Sequence, residues 1–223
     1  MSTAAAFDDD AAADLEVWGI VVAGGAGSRF GGEKQYATLG GKRVLDWSLA
    51  AARQACGSVV LVVPADHEHL AEPAADHVVV GGATRSASVR AGLAAVAPDA
   101  GDDCVIVVHD AARPFATSEL FHSVIGAVRS GADGAVPALP VTDTVKQVDE
   151  SGTITATLDR TRLMTVQTPQ AFRFAALREA HSGDADATDD AALVEAIGGR
   201  VVVVPGEETN RKITTPDDLV APR

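Results

Sequence analysis

The segment Val17–Leu39 reads VWGIVVAGGAGSRFGGEKQYATL. Its first part, Val17–Val22, is an apolar run typical of a strand that is buried on both faces of a parallel sheet. Three glycines follow, at Gly24, Gly25 and Gly27. Glycines let the chain turn sharply and approach a ligand closely, and the backbone N–H groups of such a loop can bind phosphate. The segment therefore predicts a strand followed by a loop that binds an anion.

Two cations beside the glycine loop, Arg29 and Lys34, add full positive charges that glycines cannot supply. The dinucleotide fingerprint G-x-G-x-x-G is not met, because Phe30 stands at the position of its third glycine. The acidic residue expected about 20 residues further on is also poorly placed, since Asp46 falls inside a predicted helix. The P-loop pattern is absent. A loop with its own Arg and Lys is expected where a triphosphate is attacked; an ordinary strand-to-helix turn is the alternative.

The composition restricts the class of partner. A net charge of −13 over 223 residues argues against a general nucleic-acid surface, whereas a small anionic ligand needs only local cations. Cys56 and Cys104 lack metal-ligand spacing, which predicts reduced cysteines in a cytoplasmic protein. No apolar run reaches the roughly 18 residues of a membrane span. Residues 1–15 lack a basic signal region and predict a flexible acidic tail.

Strand and helix patterns alternate along the rest of the chain and predict one α/β domain over residues 16–223. The predicted strands are Val59–Val63, Val78–Val80, Cys104–Val108, Gly134–Ala138 and Val201–Val204, with the last but one bounded by Pro137 and Pro140. The predicted helices are Val44–Gln54, one carrying Ser88 to Val96, Ser118–Arg129, Phe172–Ala180, Asp189–Ile197 and one that begins at Thr215-Pro216-Asp217-Asp218. We expect no fused downstream enzyme, since Arg223 ends the sequence soon after the last of them.

A second glycine pair, Gly81-Gly82, ends a predicted strand. Arg85 and Ser88 follow one helical turn apart and share a face. This arrangement fits a second loop at a ligand, although a glycine turn with a polar helix start is the alternative.

The most apolar predicted strand runs into His109, Asp110 and Arg113. Ligands of open α/β sheets bind beyond the carboxyl ends of the strands. Asp110 there can hold Mg²⁺ and Arg113 can grip a phosphate, while a helix cap is the alternative role for Asp110. His109 is expected to orient the loop. Lys212 is the third candidate phosphate cation, and a solvated lysine is the alternative.

Residues 139–161 interrupt the alternation of strands and helices. Thr144–Val148 and Thr153–Leu158 flank Asp149-Glu150-Ser151-Gly152 and predict a β-hairpin. A two-stranded arm of this kind is at best marginally stable alone, so we expect it to pack against a symmetric partner subunit.

Several separated motifs carry a resemblance to a known family. In chain order they are Ala23-Gly24-Gly25-Ala26-Gly27-Ser28-Arg29, Lys34-Gln35, Gly81-Gly82 with Arg85 and Ser88, His109-Asp110-Ala111-Ala112-Arg113-Pro114, Thr142-Asp143-Thr144-Val145-Lys146, Asp159-Arg160, Gln167-Thr168-Pro169-Gln170, Thr188-Asp189-Asp190 and Asn210-Arg211-Lys212-Ile213-Thr214. Each motif alone is weak. The ordered set closely resembles the 2-C-methyl-D-erythritol 4-phosphate cytidylyltransferases of the non-mevalonate isoprenoid pathway.

The resemblance implies a Rossmann-like nucleotidyltransferase fold of the GT-A-like type, a three-layer α/β sandwich with a mostly parallel sheet and a protruding hairpin arm. It implies a homodimer joined through these arms. It also implies transfer of CMP from CTP to methylerythritol phosphate with Mg²⁺, giving CDP-methylerythritol and pyrophosphate.

The resemblance also implies roles by position in the motifs. The residues that stabilise charge or position the attacking phosphate are Arg29, Lys34, Arg160 and Lys212. The cytidine pocket is matched by Ala23, Gly24, Gly82, Ala83 and Ser88, to which we add Gly25, Gly27 and Arg85 from the glycine loops. The acceptor site is matched by Asp110, Arg113, Thr142, Arg160, Thr168 and Lys212, with Thr142 and Arg160 contributed by the partner's arm.

The sequence departs from the family's pattern at Gly24, where alanine is common, and at Ala83, where an acidic residue is frequent. Both positions mainly offer backbone to the nucleotide. The nearest alternative is a ribitol 5-phosphate cytidylyltransferase, which would share the nucleotide loops and Lys212 and differ where the polyol is bound. Alternatives from other classes are an NAD-binding α/β protein and a non-catalytic interaction protein with the same fold.

Overall fold

The computed structural model describes residues 16–25, 27, 29–69 and 72–219. Its strands are β1 (Val17–Val22), β2 (Thr38–Leu39), β3 (Lys42–Arg43), β4 (Ser58–Val63), β5 (His77–Val80), β6 (Val105–Asp110), β7 (Gly134–Pro140), β8 (Lys146–Val148), β9 (Ile154–Thr157), β10 (Met164–Val166), β11 (Gln170–Arg173) and β12 (Val201–Pro205). Its helices are α1 (Val44–Ala55), α2 (Arg85–Val96), α3 (Ser118–Arg129), α4 (Phe174–Ala180) and α5 (Asp190–Ala196). The predicted tail, residues 1–15, lies outside the described residues.

Eight of the strands form one mostly parallel sheet. Strands β5, β4, β1 and β6 are parallel neighbours, β11 pairs antiparallel with β6 and β7, and β12 runs parallel to β7. The chain leaves β1 through α1 to β4 on one side and later returns through α2 to β6 on the other. The carboxyl ends of β1 and β6 therefore form a topological switch point, where open α/β sheets bind ligands.

Helices cover both faces of the sheet. On one face, α1 and α3 pack on alternate strand residues such as Val21 and Leu61. On the other, α2, α4 and α5 pack on the intervening residues such as Ile20. Helix α2 lies so close to β1 that a Cβ on Gly92 would fall 2.6 Å from Cγ2 of Ile20. The predicted three-layer α/β sandwich is therefore confirmed, with the predicted Val17–Val22 and Ser118–Arg129 matched at both ends.

Strands β8 and β9 form the predicted hairpin, which stands apart as a separate two-stranded sheet. Its turn is closed by the Asp149 carboxylate, which accepts hydrogen bonds from the backbone N–H groups of Ser151 and Thr153. Both Val148 and Ile154 are more than half exposed. The arm thus carries apolar side chains that no other described part of the chain covers.

The structure corrects three predicted boundaries. The helix predicted from Phe172 starts at Phe174, because Phe172 is fully buried in β11 between β6 and β7. Pro137 does not bound β7 but pairs with Val204 inside it, with its carbonyl accepting the Gln167 N–H. The predicted last helix is a single 3-10 turn within the described residues, Pro216–Asp218. None of the helices in the described segments is long and apolar enough to span a membrane.

Candidate active site

A cavity of about 420 Å³ opens at the switch point. It is lined by the loops after β1 and β5, the first turn of α2, the end of β6 and the segment after β12. The lining residues are Val22, Ala23, Gly24, Gly25, Lys34, Gln35, Gly82, Ala83, Thr84, Arg85, Ser88, Asp110, Ala111, Ala112 and Lys212. A second cavity of about 350 Å³ adjoins it and is bounded by Arg113, Thr168 and neighbouring residues. The two cavities share Arg85, Asp110 and Lys212, so these three side chains form a common wall.

Gly27 and Gln35 shape the described part of the glycine loop after β1. Gly27 adopts φ +61°, and a Cβ there would lie 1.9 Å from the carbonyl oxygen of Gly32, so only glycine fits. The buried side chain of Gln35 donates from Nε2 to the carbonyl of Ala23 at 2.8 Å and tethers the loop. Gly24 and Gly25 line the cavity, whereas Gly27 shapes the turn without lining it.

The second glycine loop lies against the start of α2. A Cβ on Gly82 would fall 2.4 Å from Cβ of Ala87, so this backbone fits closely over the helix. The Ser88 hydroxyl donates to the carbonyl of Thr84 at 3.0 Å, within the first turn of α2. The structure therefore places Gly82, Ala83, Arg85 and Ser88 on the same cavity as the first loop.

Two lysines face this cavity, and their electrostatic states differ. Nζ of Lys212 lies 2.6 Å from Oδ2 of Asp110. Lys34 makes no ion pair with any described residue. Burial and the Lys212 ammonium both lower the pKa of Lys34, as does the nearby charge of Arg29. Asp110 and Asp218 offset only part of this effect, so the charge of Lys34 is less favourable in the free protein than in water.

Asp110 is the carboxylate at the centre of the common wall. Its Oδ1 accepts from Nε of Arg85 at 3.1 Å, and its backbone N–H donates to Oγ1 of Thr168 at 3.0 Å. Burial alone would raise the pKa of Asp110, but Arg85 and Lys212 outweigh it and hold that pKa well below its ordinary value. Asp110 is thus ionised and ties the strand end to two cations.

Arg113 lies beside Asp110 in the second cavity. Its Nη1 donates to the carbonyl of Asn210 at 2.8 Å, while its buried Nε has no partner among the described residues. Burial lowers the pKa of Arg113. His109 contacts the Arg113 carbonyl and the Thr168 hydroxyl, and burial lowers the pKa of His109 to about 4. His109 is neutral and holds the loop, as the sequence predicted.

Both the sequence and the fold of this chain are similar to those of known proteins. The family model of IspD, 2-C-methyl-D-erythritol 4-phosphate cytidylyltransferase, matches residues 17–222. The chain belongs to this family. The protein of that name from Saccharopolyspora erythraea is 43% identical over 216 residues, which cover 92% of this chain and 96% of that protein. The crystal structure of the cytidylyltransferase from Thermus thermophilus is 35% identical, covers 90% of this chain and 94% of that one, and superposes with a TM-score of 0.75.

Some relatives in this cytidylyltransferase family are longer. The bifunctional enzyme IspD/IspF of Nitrobacter winogradskyi is 46% identical over 215 residues, which are 90% of this chain and 53% of that protein. This chain thus spans about half the length of such bifunctional relatives.

Besides Gly27, three predicted site residues line neither cavity of their own chain, namely Arg29, Thr142 and Arg160. Arg29 is exposed in the turn after the glycine loop. Thr142 and Arg160 are exposed at the base of the arm, where the Arg160 guanidinium donates to the Thr142 carbonyl. The roles predicted for these three residues stay predictions. The other residues predicted for catalysis, nucleotide binding or acceptor binding, apart from Gly27, line one or both cavities.

Several residues that build the site had no role in the sequence analysis. Asn210 is fully buried and donates to the Thr168 carbonyl at 2.9 Å, while Gln167 donates to the Glu207 carbonyl at 2.8 Å. These hydrogen bonds hold the segment that carries Lys212 against the loop between β10 and β11. The only signal in the sequence was that Gln35, Gln167, Asn210 and Asp190 adjoin or fall within the family motifs.

The residues present fit the Mg²⁺ that the family implies. Among the described residues that line the first cavity, Asp110 is the only carboxylate. Mg²⁺ is commonly held by one or two carboxylates together with substrate phosphates and water. Asp110 has lone pairs left beyond its contacts with Arg85 and Lys212. One protein ligand is what this site offers, and the nucleotide would supply the others.

Proposed function

We propose that this protein transfers the CMP moiety of CTP to 2-C-methyl-D-erythritol 4-phosphate, giving CDP-methylerythritol and pyrophosphate. The observation that carries the proposal is the pair of cavities with a common wall in a member of this family. Four cations, Lys34, Arg85, Arg113 and Lys212, line them together. Two anionic substrates that must meet need such a surface.

In this proposal the nucleotide occupies the first cavity and the acceptor the second. The glycine loops after β1 and β5 offer backbone N–H groups to the triphosphate and the base. The acceptor phosphate lies with Arg113, Thr168 and Lys212 in the second cavity. The attacking oxygen and the α-phosphate then meet at the common wall, where Lys212 can contact both.

The reaction needs no general base from the protein. The second pKa of a phosphate monoester is near 6, so the acceptor phosphate is largely dianionic at neutral pH. The barrier lies in bringing two anions together and in the charge that builds on the α-phosphate, which positioning and fixed positive charges lower. Lys34 approaches from the glycine loop and Lys212 from the opposite segment. Mg²⁺, when bound at Asp110, would neutralise further phosphate charge.

The proposal includes a homodimer in which each arm completes the partner's site. Val148, Ile154 and Leu158 are exposed on the arm, which is unfavourable unless a surface covers them. Thr142 and Arg160 at its base reach neither cavity of their own chain. We also infer a cytoplasmic location, which the two free, buried cysteines support. We infer no nucleic-acid or membrane partner.

The first experiment measures pyrophosphate release with CTP and Mg²⁺, in parallel with methylerythritol 4-phosphate and ribitol 5-phosphate. A higher kcat/KM with methylerythritol phosphate supports the proposal. Preference for ribitol phosphate would keep the mechanism and change the pathway, and release with neither would refute both. The family model, the Saccharopolyspora erythraea protein and the Thermus thermophilus structure are named as methylerythritol phosphate cytidylyltransferases and give the ribitol alternative no support.

The dimer is tested separately with mixed subunits. An Arg113→Ala subunit lacks a residue of its own acceptor cavity, whereas a Thr142→Ala subunit lacks one that would serve its partner. Random mixing of the two inactive proteins should restore about a quarter of the wild-type sites, because half of the dimers then contain one intact site. Mixtures no more active than either parent would exclude sharing across the dimer.

A further inference from the structure

Behind the common wall lies a chain of buried charges. Arg85 bridges two carboxylates: Nε lies 3.1 Å from Oδ1 of Asp110, and Nη1 lies 2.7 Å from Oδ2 of Asp190. The side chain of Asp190 is fully buried, and its other oxygen lies 3.0 Å from Nε2 of His181. The chain of contacts therefore runs from His181 through Asp190, Arg85 and Asp110 to Lys212.

Asp190 lines neither cavity and has no place among the substrate-binding residues. It is the first residue of α5, with both carboxylate oxygens engaged, so its position is fixed by the helix and by two partners. An arginine held in this way cannot rotate freely. The Arg85 guanidinium donates to Asp110 through Nε alone.

This geometry decides how Asp110 divides its oxygens. A free arginine prefers to bind one carboxylate with two parallel hydrogen bonds. Here the Asp190 contact at Nη1 holds the Arg85 guanidinium so that Nη2, the donor beside Nε, makes no hydrogen bond with any described residue, and Oδ2 of Asp110 stays available to Nζ of Lys212 at 2.6 Å. The Lys212 side chain is 37% exposed and depends on this contact for a fixed position.

We propose that Asp190 is a positioning residue: by holding Arg85 from behind, it keeps Asp110 available to Lys212 and fixes the Lys212 ammonium where the two substrates meet. The inference rests on the proposed function for the role of Lys212, while the geometry of the chain of contacts stands on its own. A displacement of about 1 Å in such a group can cost about 100-fold in rate. Loss of a partner that orients a metal ligand typically costs about 10- to 100-fold in affinity or activity, and we expect a loss of activity of similar size here.

The test is Asp190→Asn, which keeps the shape and removes the charge. The variant makes the site more positive by one charge. Electrostatic attraction alone therefore predicts that the variant binds both anionic substrates as tightly as the wild-type protein does, or more tightly. Positioning predicts instead that kcat falls at least about 10-fold while both KM values stay level or fall. An unchanged kcat would overturn the proposal, and so would a higher KM with kcat retained.

The chain offers a matched control. Arg43 also bridges two carboxylates, Asp46 and Glu72, with the Glu72 side chain 3% exposed. None of these three residues lines either cavity. Glu72→Gln therefore removes a buried charge from an equivalent arrangement, and we expect it to lower the melting temperature and leave kcat within about 2-fold. A loss of kcat equal to that of Asp190→Asn would overturn the proposal.

Two further measurements keep the inference testable. If Asp190→Asn does not fold, Arg85→Lys replaces it, because a lysine keeps the charge but cannot bridge both carboxylates. Its kcat should also fall at least about 10-fold, and a wild-type kcat would overturn the inference. A crystal structure of the folded variant should show Arg85 chelating Asp110 and Lys212 released; a retained Asp110–Lys212 contact would overturn it even if the wild-type protein proved inactive.

Discussion

Replacing Lys34 by methionine should lower kcat strongly without lowering stability. Lys34 reaches the first cavity from the 3-10 turn Lys34–Tyr36 and makes no ion pair with any described residue. Its pKa is lowered by burial and then by Lys212, so its charge is unfavourable in the free protein. Removing that charge relieves repulsion, and methionine keeps the apolar stem. The cost should appear only when a triphosphate occupies the cavity.

The magnitude follows from the lack of a competing partner. No internal carboxylate must be released before Lys34 can contact a phosphate, so its charge acts fully on the transition state. Loss of one such donor in other enzymes costs about 2.7–4 kcal/mol. At about 1.4 kcal/mol for each factor of ten, Lys34→Met should reduce kcat by about 100- to 1000-fold. Lys34→Arg should recover part of this loss, because the charge is kept.

The assay is pyrophosphate release at saturating CTP and acceptor, with a thermal melt of the same samples. Lys42→Met is the matched control, since Lys42 is exposed over the Trp47 ring and lines neither cavity. The control should keep kcat within about 2-fold, as expected for a surface substitution. A Lys34→Met variant with a kcat near that of the control would refute the reasoning. A melting temperature well below wild type would show instead that Lys34 is a structural residue.

Three other predictions concern the nucleotide loop, the arm and the strand end. Gly82→Ala should raise the KM for CTP about 10-fold, because its Cβ would fall 2.4 Å from that of Ala87; Gly101→Ala, where a Cβ meets nothing within 4 Å, should not. Arg160→Ala should raise the KM for the acceptor more than that for CTP, and equal effects would remove Arg160 from the acceptor site. The pKa of His109 is about 4 in the folded protein and 6.5 for the ordinary group. As the pH falls, the unfolded chain therefore binds a proton at His109 before the folded protein does. The free energy of unfolding should fall by about 3 kcal/mol between pH 6.5 and pH 4. Denaturant titrations of His109→Gln across that range should show a clearly smaller loss.

Local patterns were enough to predict most of the fold. The apolar run Val17–Val22 and the amphipathic Ser118–Arg129 carry their own structure, because one is buried on both faces and the other on one side. Phe172 shows the limit of this reasoning. Its neighbours in the sequence favour a helix, but Phe172 pairs with both β6 and β7 and therefore lies in a strand. Tertiary packing overrides local preference at such positions.

The sequence predicted only those residues of the candidate site whose local motif points to a ligand. Glycines and cations after strand ends are visible in the sequence, and the sheet topology brings them together. The contact between Arg85 and Asp190 joins residues 105 positions apart, and no spacing rule relates them. In the sequence, Asp190 stood out only as part of a family motif near the start of the predicted helix Asp189–Ile197. In the structure, Asp189 caps that helix, since its carboxylate accepts the Ala192 N–H. A residue that acts behind the site leaves no local pattern, because its partners come from other elements.

The charges of the chain and of the site have opposite signs, and this contrast explains how the site is arranged. A protein of net charge −13 repels long polyanions, while the two cavities gather Lys34, Arg85, Arg113 and Lys212. These cations repel one another: Lys212 lowers the pKa of Lys34, and Arg85 contributes, after burial, to lowering that of Arg113. Asp110 and Asp190 offset part of this repulsion. Asp190 does so without facing a substrate phosphate, because it is buried behind Arg85. The repulsion that remains is relieved only when phosphate charge enters the cavities, which favours the occupied, reactive state over the empty one.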